Sequence, residues 1–222
     1  MSSAENADAS LRARAETLAR REDVLAAARL LREGGVVAVA TETVFGLAAC
    51  AQSVEGVQRL VELKERPVGK PLPVLVEDVE AALATARLTA RARRAAQRLW
   101  PGPLTLVAPA RTPLPAPLLG EEGAVGLRCP AHPLALALLR AVGEPLACTS
   151  ANPSGRPPAA RAEEARTWLG PRRDVMVLPD EPPLPAGEPS TVATLGATPA
   201  EDRLLRPGPV RLQQLRLAAA GR

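Results

Sequence analysis

The chain has 222 residues, 46% of them hydrophobic and 23% charged, with a formal net charge of +4. This composition suits one soluble globular domain and excludes disorder along the whole chain. No apolar run reaches the roughly 18 residues of a membrane span. The first ten residues, MSSAENADAS, lack the basic and apolar regions of a secretory signal.

In chain order, residues 1–9 read as a frayed tail and residues 10–33 as one amphipathic helix, stopped by Gly34-Gly35. Val36–Ala40 is a continuous apolar run, the pattern of a buried strand. Thr41-Glu42-Thr43 follows, and alone it reads as a turn in which Thr41 or Thr43 caps a following helix. A helix over 54–63, a strand over 72–76 and one or two helices over 77–99 come next. Strands are expected at 104–108, 125–128, 146–149, 175–178, 191–195 and 203–205. Helices are expected at 133–142, closed by Gly143, at 160–169 and at 210–218. A Pro-rich loop spans 179–189. This loose alternation predicts an α/β fold around a twisted, mixed sheet, forming one domain over 10–222.

Aromatic residues are scarce, one Phe, two Trp and no Tyr. The core must therefore be built from Leu, Val and Ala, and the composition gives little support to recognition of RNA by an aromatic stacking platform. Cys50, Cys129 and Cys148 show no paired spacing and are expected as reduced thiols in a cytoplasmic protein. His132 is the only histidine, which leaves no Cys/His zinc pattern and only one candidate for a nucleophilic triad. Its place at a helix start favours capping or packing.

Four polar clusters stand at expected strand ends or in loops, where α/β sheets bind ligands. The first is Thr41-Glu42-Thr43. The second, Lys64 to Leu72, contains Lys64 and Lys70, the only lysines among 28 basic residues. A chain that otherwise uses arginine keeps a compact ammonium here, which suits point contact with phosphate oxygens. The third is Thr149 to Pro157, rich in hydroxyls and amide. The fourth joins Ser190-Thr191-Val192 to Arg206-Pro207-Gly208, with Arg128 ending another strand; both arginines suit carboxylate or phosphate. No GxxxxGK[ST] or strand-linked GxGxxG loop is present, so a nucleotide site needs another construction.

In this order, TETVFGL at 41–47, KERPVGKPL at 64–72, PGPLTLV at 101–107, GLRCPAHP at 126–133, TSANPSG at 149–155, STV at 190–192 and LRPG at 205–208 resemble the YrdC/Sua5 family of threonylcarbamoyl-AMP synthases. The likeness covers residues 20–210, and the chain looks like the short, single-domain type. The resemblance implies an open α/β fold with a large, positively lined cavity. It implies a catalytic set at the K-x-R and S-x-N positions Lys64, Arg66, Ser150 and Asn152, which with Arg206 would hold ATP phosphates. It implies threonine at Thr41, Arg128 and Ser190. The implied reaction joins L-threonine, bicarbonate and ATP, with Mg²⁺ and no tightly bound organic cofactor. Its product would serve a threonylcarbamoyl transferase complex that modifies tRNA. The chain departs from the family pattern at Ala40 (usually Pro), Phe45 (usually Tyr), Leu75 (often His or Ser) and Ala193 (often Asp).

Two rival readings stand beside this one. Arg87, Arg91, Arg94 and Arg98 share one helical face in a stretch with no acidic residue between Glu80 and Glu121, which suits a non-catalytic module holding a tRNA or double-stranded RNA backbone. The other is a family relative that acts on a different amine.

Overall fold

A computed structural model describes residues 3–65, 69–179 and 188–221. The helices are α1 (Ser3–Leu18), α2 (Glu22–Arg32), α3 (Val54–Lys64), α4 (Val79–Thr85), α5 (Ala90–Leu99), α6 (Pro133–Val142), α7 (Ala162–Leu169) and α8 (Leu212–Ala219). The strands are β1 (Val36–Ala40), β2 (Phe45–Cys50), β3 (Val74–Leu75), β4 (Leu104–Pro109), β5 (Ala124–Arg128), β6 (Leu146–Ser150), β7 (Val175–Val177), β8 (Thr191–Thr194) and β9 (Arg203–Arg206). All nine form one mixed sheet in the order β7-β1-β2-β6-β3-β5-β4-β8-β9.

Every residue of β1 and β2 is buried. Helices α2, α3, α6 and α7 all pack on β1, which explains why its apolar run shows no alternation. α6 carries Pro133 at its first turn and ends at Gly143 in the left-handed region (φ 79°), as its sequence boundaries imply. It is buried nearly all round because α1 and α2 cover the side away from the sheet.

Three expectations give way. Residues 3–9 are the first turns of α1 rather than a frayed tail. The single helix expected over 10–33 is broken after Leu18. Glu22 and Asp23 open a second helix there, where carboxylates complement the positive N-terminal end of the dipole. No helix follows Thr43: β2 pairs back on β1 as a hairpin, with Ala40 opposite Phe45.

The basic face on α5 is not an open stripe. Arg91 forms a bidentate pair with buried Asp202, one arm at 3.0 Å. Arg94 Nε donates to Ala219 O at 2.9 Å, and Arg98 Nη1 donates to Ala218 O at 3.0 Å and Ala220 O at 2.9 Å. Two arginines thus satisfy carbonyls at the end of α8, which every helix leaves without internal partners. The α5 arginines dock the C-terminal segment, and this face does not support the reading as an RNA-binding module. His132 occupies the N-cap position of α6, is buried and makes no side-chain capping bond.

Candidate functional site

The β1–β2 turn is held by Thr41. Its hydroxyl donates to Val44 O at 2.7 Å and accepts from the amides of Thr43 (3.3 Å) and Val44 (3.2 Å). This local bonding fixes a tight turn and brings Thr43 Oγ1 within 3.0 Å of Thr41 Oγ1. Arg128, at the end of β5, reaches that turn. Its Nη2 donates to Thr43 Oγ1 at 2.9 Å and lies 2.7 Å from Glu42 Oε1.

A second group gathers on the other side. Thr105 on β4 and Ser190 before β8 share a hydrogen bond of 2.9 Å between hydroxyls. Arg206, ending β9, donates from Nε (3.1 Å) and Nη2 (2.8 Å) to Ser190 O, and from Nη2 to Ser190 Oγ at 3.1 Å. Gly208 makes this approach possible, because a Cβ there would lie 2.5 Å from Thr191 N and 2.6 Å from Pro189 O. Burial and the neighbouring Arg128 charge pull the Arg206 pKa down. Arg206 as a residue is nevertheless exposed, so water still reaches this guanidinium and its contact with Ser190 says more about its role than the shift does.

Both groups line one cavity of about 200 Å³, bounded also by Val44, Gly46, Leu75, Cys148 and Ser150. Arg128 is buried within it and Arg206 stands at its exposed side. Burial pushes the Cys148 thiol up to about 11, so it contributes an uncharged, weakly polar wall. The cavity is smaller than the resemblance implies, and falls below the roughly 300–1,000 Å³ of typical ligand pockets.

The signature residues have distinct places. Lys64 ends α3, and Glu65 turns the chain sharply in the left-handed region (φ 48°) directly after it. The buried Lys64 ammonium donates to Ser150 O, Ser150 Oγ and Asn152 O, each at 2.9 Å, and to Asn152 Oδ1 at 2.6 Å. Ser154 Oγ returns a bond to Lys64 O at 2.8 Å. Asn152 Nδ2 donates to Pro153 O at 2.8 Å, so its amide holds the same loop. That loop is stitched onto β2 by Ala151 N to Phe45 O (2.7 Å) and Phe45 N to Ala159 O (3.3 Å). Ser150 lines the cavity, whereas Lys64 and Asn152 stand behind it and fix its position. Arg66 and most of the Pro-rich loop lie outside the described residues. Lys70 is exposed.

Thr41, Arg128, Ser190, Ser150 and Arg206 therefore meet at one cavity, whereas Lys64 and Asn152 do not line it. Thr43 and Thr105 line it too, and Glu42 meets Arg128 from outside the lining. Glu42 and Thr43 stood in the first polar cluster without a ligand role, whereas Thr105 lay outside the four clusters, a lone hydroxyl in the apolar run Leu104 to Val107. No helix among the described residues is long and apolar enough to cross a membrane.

A mixed sheet that gathers guanidinium and hydroxyl groups around one small cavity defines an α/β domain whose site has the chemistry to hold a small anionic or zwitterionic molecule. The Sua5/YciO/YrdC family model, described as "Telomere recombination", matches residues 29–208, and the chain belongs to this family. The threonylcarbamoyl-AMP synthase of Bacillus subtilis is 40% identical over 194 residues, covering 85% of this chain and 54% of that protein. That of Halorhodospira halophila is 42% identical over 152 residues, covering 68% of this chain and 80% of the other. The crystal structure of Pyrococcus abyssi Sua5 complexed with L-threonine superposes with a TM-score of 0.79 at 34% identity, over 88% of this chain and 56% of that one. The chain thus spans about half the length of the Bacillus and Pyrococcus relatives.

Proposed function

We propose that this chain condenses L-threonine, bicarbonate and ATP into L-threonylcarbamoyladenylate, releasing pyrophosphate and water, and so acts as a nucleotidyltransferase. The observation that carries the reading is the pairing of a buried guanidinium, Arg128, with an exposed one, Arg206, around a cavity of amino-acid size rimmed by Thr41, Thr43, Ser150 and Ser190. The names of the relatives and the threonine in the Pyrococcus structure agree with it.

In this account Arg128 takes the threonine carboxylate deep in the cavity, and the hydroxyls of Thr41, Thr43 and Ser190 orient the rest. The neutral threonine amine attacks the bicarbonate carbon, whose C–OH bond breaks so that hydroxide leaves with an amine proton as water; the resulting carbamate oxygen then attacks the α-phosphorus of ATP while the bond to pyrophosphate breaks. The nucleotide, too large for the cavity, lies at its mouth, with phosphates near Arg206 and the loop held by Lys64. Arg66 adds charge there. Preorganised donors aimed at developing charge are the main source of rate in such a transfer, and no covalent intermediate on the protein is needed. Walls that exclude water protect the short-lived carbamate. Mg²⁺ is assigned to the ATP phosphates, where it neutralises charge, because the nearby carboxylate, Glu42, already faces Arg128. We place the protein in the cytoplasm, in keeping with three free buried cysteines, with a threonylcarbamoyl transferase acting on tRNA downstream.

The test is Arg128→Ala in an assay of threonine-dependent pyrophosphate release. The threonine concentration for half-maximal rate should rise by roughly tenfold or more, as when one partner of a buried charged contact is removed. An unchanged threonine dependence would contradict the assignment.

A further inference from the structure

We propose that Glu42 is a positioning residue that holds Arg128 in its working orientation and sets the charge of the cavity so that it selects a zwitterion over an inorganic anion; this rests on the amino-acid substrate proposed above. Glu42 does not line the cavity, yet its carboxylate is buried and 2.7 Å from Arg128 Nη2. Both Glu42 oxygens lack a hydrogen bond of good geometry among the described residues, and so does Arg128 Nε. The contact is therefore mainly one of charge, with Thr43 Oγ1 supplying the directional bond to the same Nη2. The two acceptors hold the guanidinium by one terminal nitrogen and leave the remainder to a ligand.

The charge count gives Glu42 its second role. Arg128 and Arg206 line the same small cavity and, as like charges, repel each other; burial first and this repulsion second pull the Arg206 pKa down. Glu42 offsets one of these charges from behind. A cavity with two uncompensated guanidiniums would favour dianions such as sulfate or phosphate. With one offset, it favours a molecule that carries a carboxylate and an ammonium together. An amino acid at neutral pH has no net charge, so an added positive charge would do little for it. Loss of Arg128 orientation would still weaken its binding.

Two consequences of opposite sign follow for Glu42→Gln. Sulfate binding, measured by calorimetry, should tighten by roughly tenfold, while the half-saturating threonine concentration rises by roughly tenfold. The half-saturating ATP concentration and the maximal rate should move far less. Glu42→Asp keeps the charge and should restore sulfate binding to the wild-type level, with threonine use between the two. A variant that merely loosened the fold would weaken both ligands together. Unchanged or weaker sulfate binding in Glu42→Gln would overturn the proposal. Sulfate calorimetry does not depend on the reaction, so it decides the role of Glu42 even if wild-type protein fails to use threonine. That failure would count against the proposed activity alone.

Discussion

Lys64 Nζ lies 2.6 Å from Asn152 Oδ1, joining the end of α3 to the loop after β6 across 88 positions of sequence. The ammonium donates to two oxygens of Ser150, at the end of β6, and two of Asn152 in that loop, so it acts as the pin that shapes the cavity wall at Ser150.

Lys64→Met should remove the pin and leave these oxygens without their donor. Hydrogen bonds to a charged group contribute about 1.5–3 kcal/mol each, so a clear fall in melting temperature is expected. Pyrophosphate release should drop on the order of 100-fold, as for loss of preorganised donors. Lys64→Arg should not restore it, because a planar guanidinium cannot direct bonds into a pocket shaped for a compact ammonium. Near-normal turnover in Lys64→Met would remove this role.

Gly208→Ala tests the contact between the Arg206 segment and Ser190. The added Cβ would press on Thr191 N at 2.5 Å and Pro189 O at 2.6 Å, both backbone atoms. Overpacking of this kind costs about 1–3 kcal/mol, and the strain falls on the Arg206–Ser190 bonds. The expected result is a rise in half-saturating ATP concentration with threonine use less affected. Equal effects on both substrates would count against separate places for them.

Gly46→Ala probes another part of the lining. A Cβ there would sit 2.9 Å from Cys148 Sγ and 3.3 Å from Thr149 O, both of residues that line the cavity. Threonine use should suffer more than ATP use, the reverse of Gly208→Ala. The pair of variants read in one assay would map the two ends of the site.

Asp202 supports the site from a distance by docking the segment that carries Arg206. Its bond to Arg91 holds its pKa below the ordinary carboxylate value of 3.8. A carboxyl whose folded pKa is depressed adds stability above its unfolded pKa and loses it as pH falls through the folded one. Wild-type stability should therefore decline from about pH 4 downward. Asp202→Asn should be less stable at neutral pH and show a flatter acid limb in thermal melts. A parallel acid limb in both proteins would assign the decline to other groups.

The sequence made some of this legible. β1 was readable because burial on every side leaves an unbroken apolar run, and α6 because its apolar run is broken only at Arg140 while Pro133 and Gly143 mark the helix ends chemically. β2 was not, because FGLAAC has small residues of weak strand preference and no alternation, and only its pairing with β1 and β6 makes it a strand. Helical spacing put Arg87, Arg91, Arg94 and Arg98 on one face, but Arg87 precedes α5 and only the other three lie on it. It could not show that the end of α8 and Asp202 meet that face. The partnership of Glu42 with Arg128 was likewise hidden, since it depends on β5 ending beside a turn 86 positions earlier in the chain.

The central claim is that one chain joins three small molecules at this cavity. The most direct measurement is mass detection of the product from ATP, threonine and carbon-labelled bicarbonate with purified protein. The account predicts an adenylate that carries both the threonine and the labelled carbon, formed in step with pyrophosphate. Pyrophosphate release that ignores threonine, or an adenylate without the label, would contradict it.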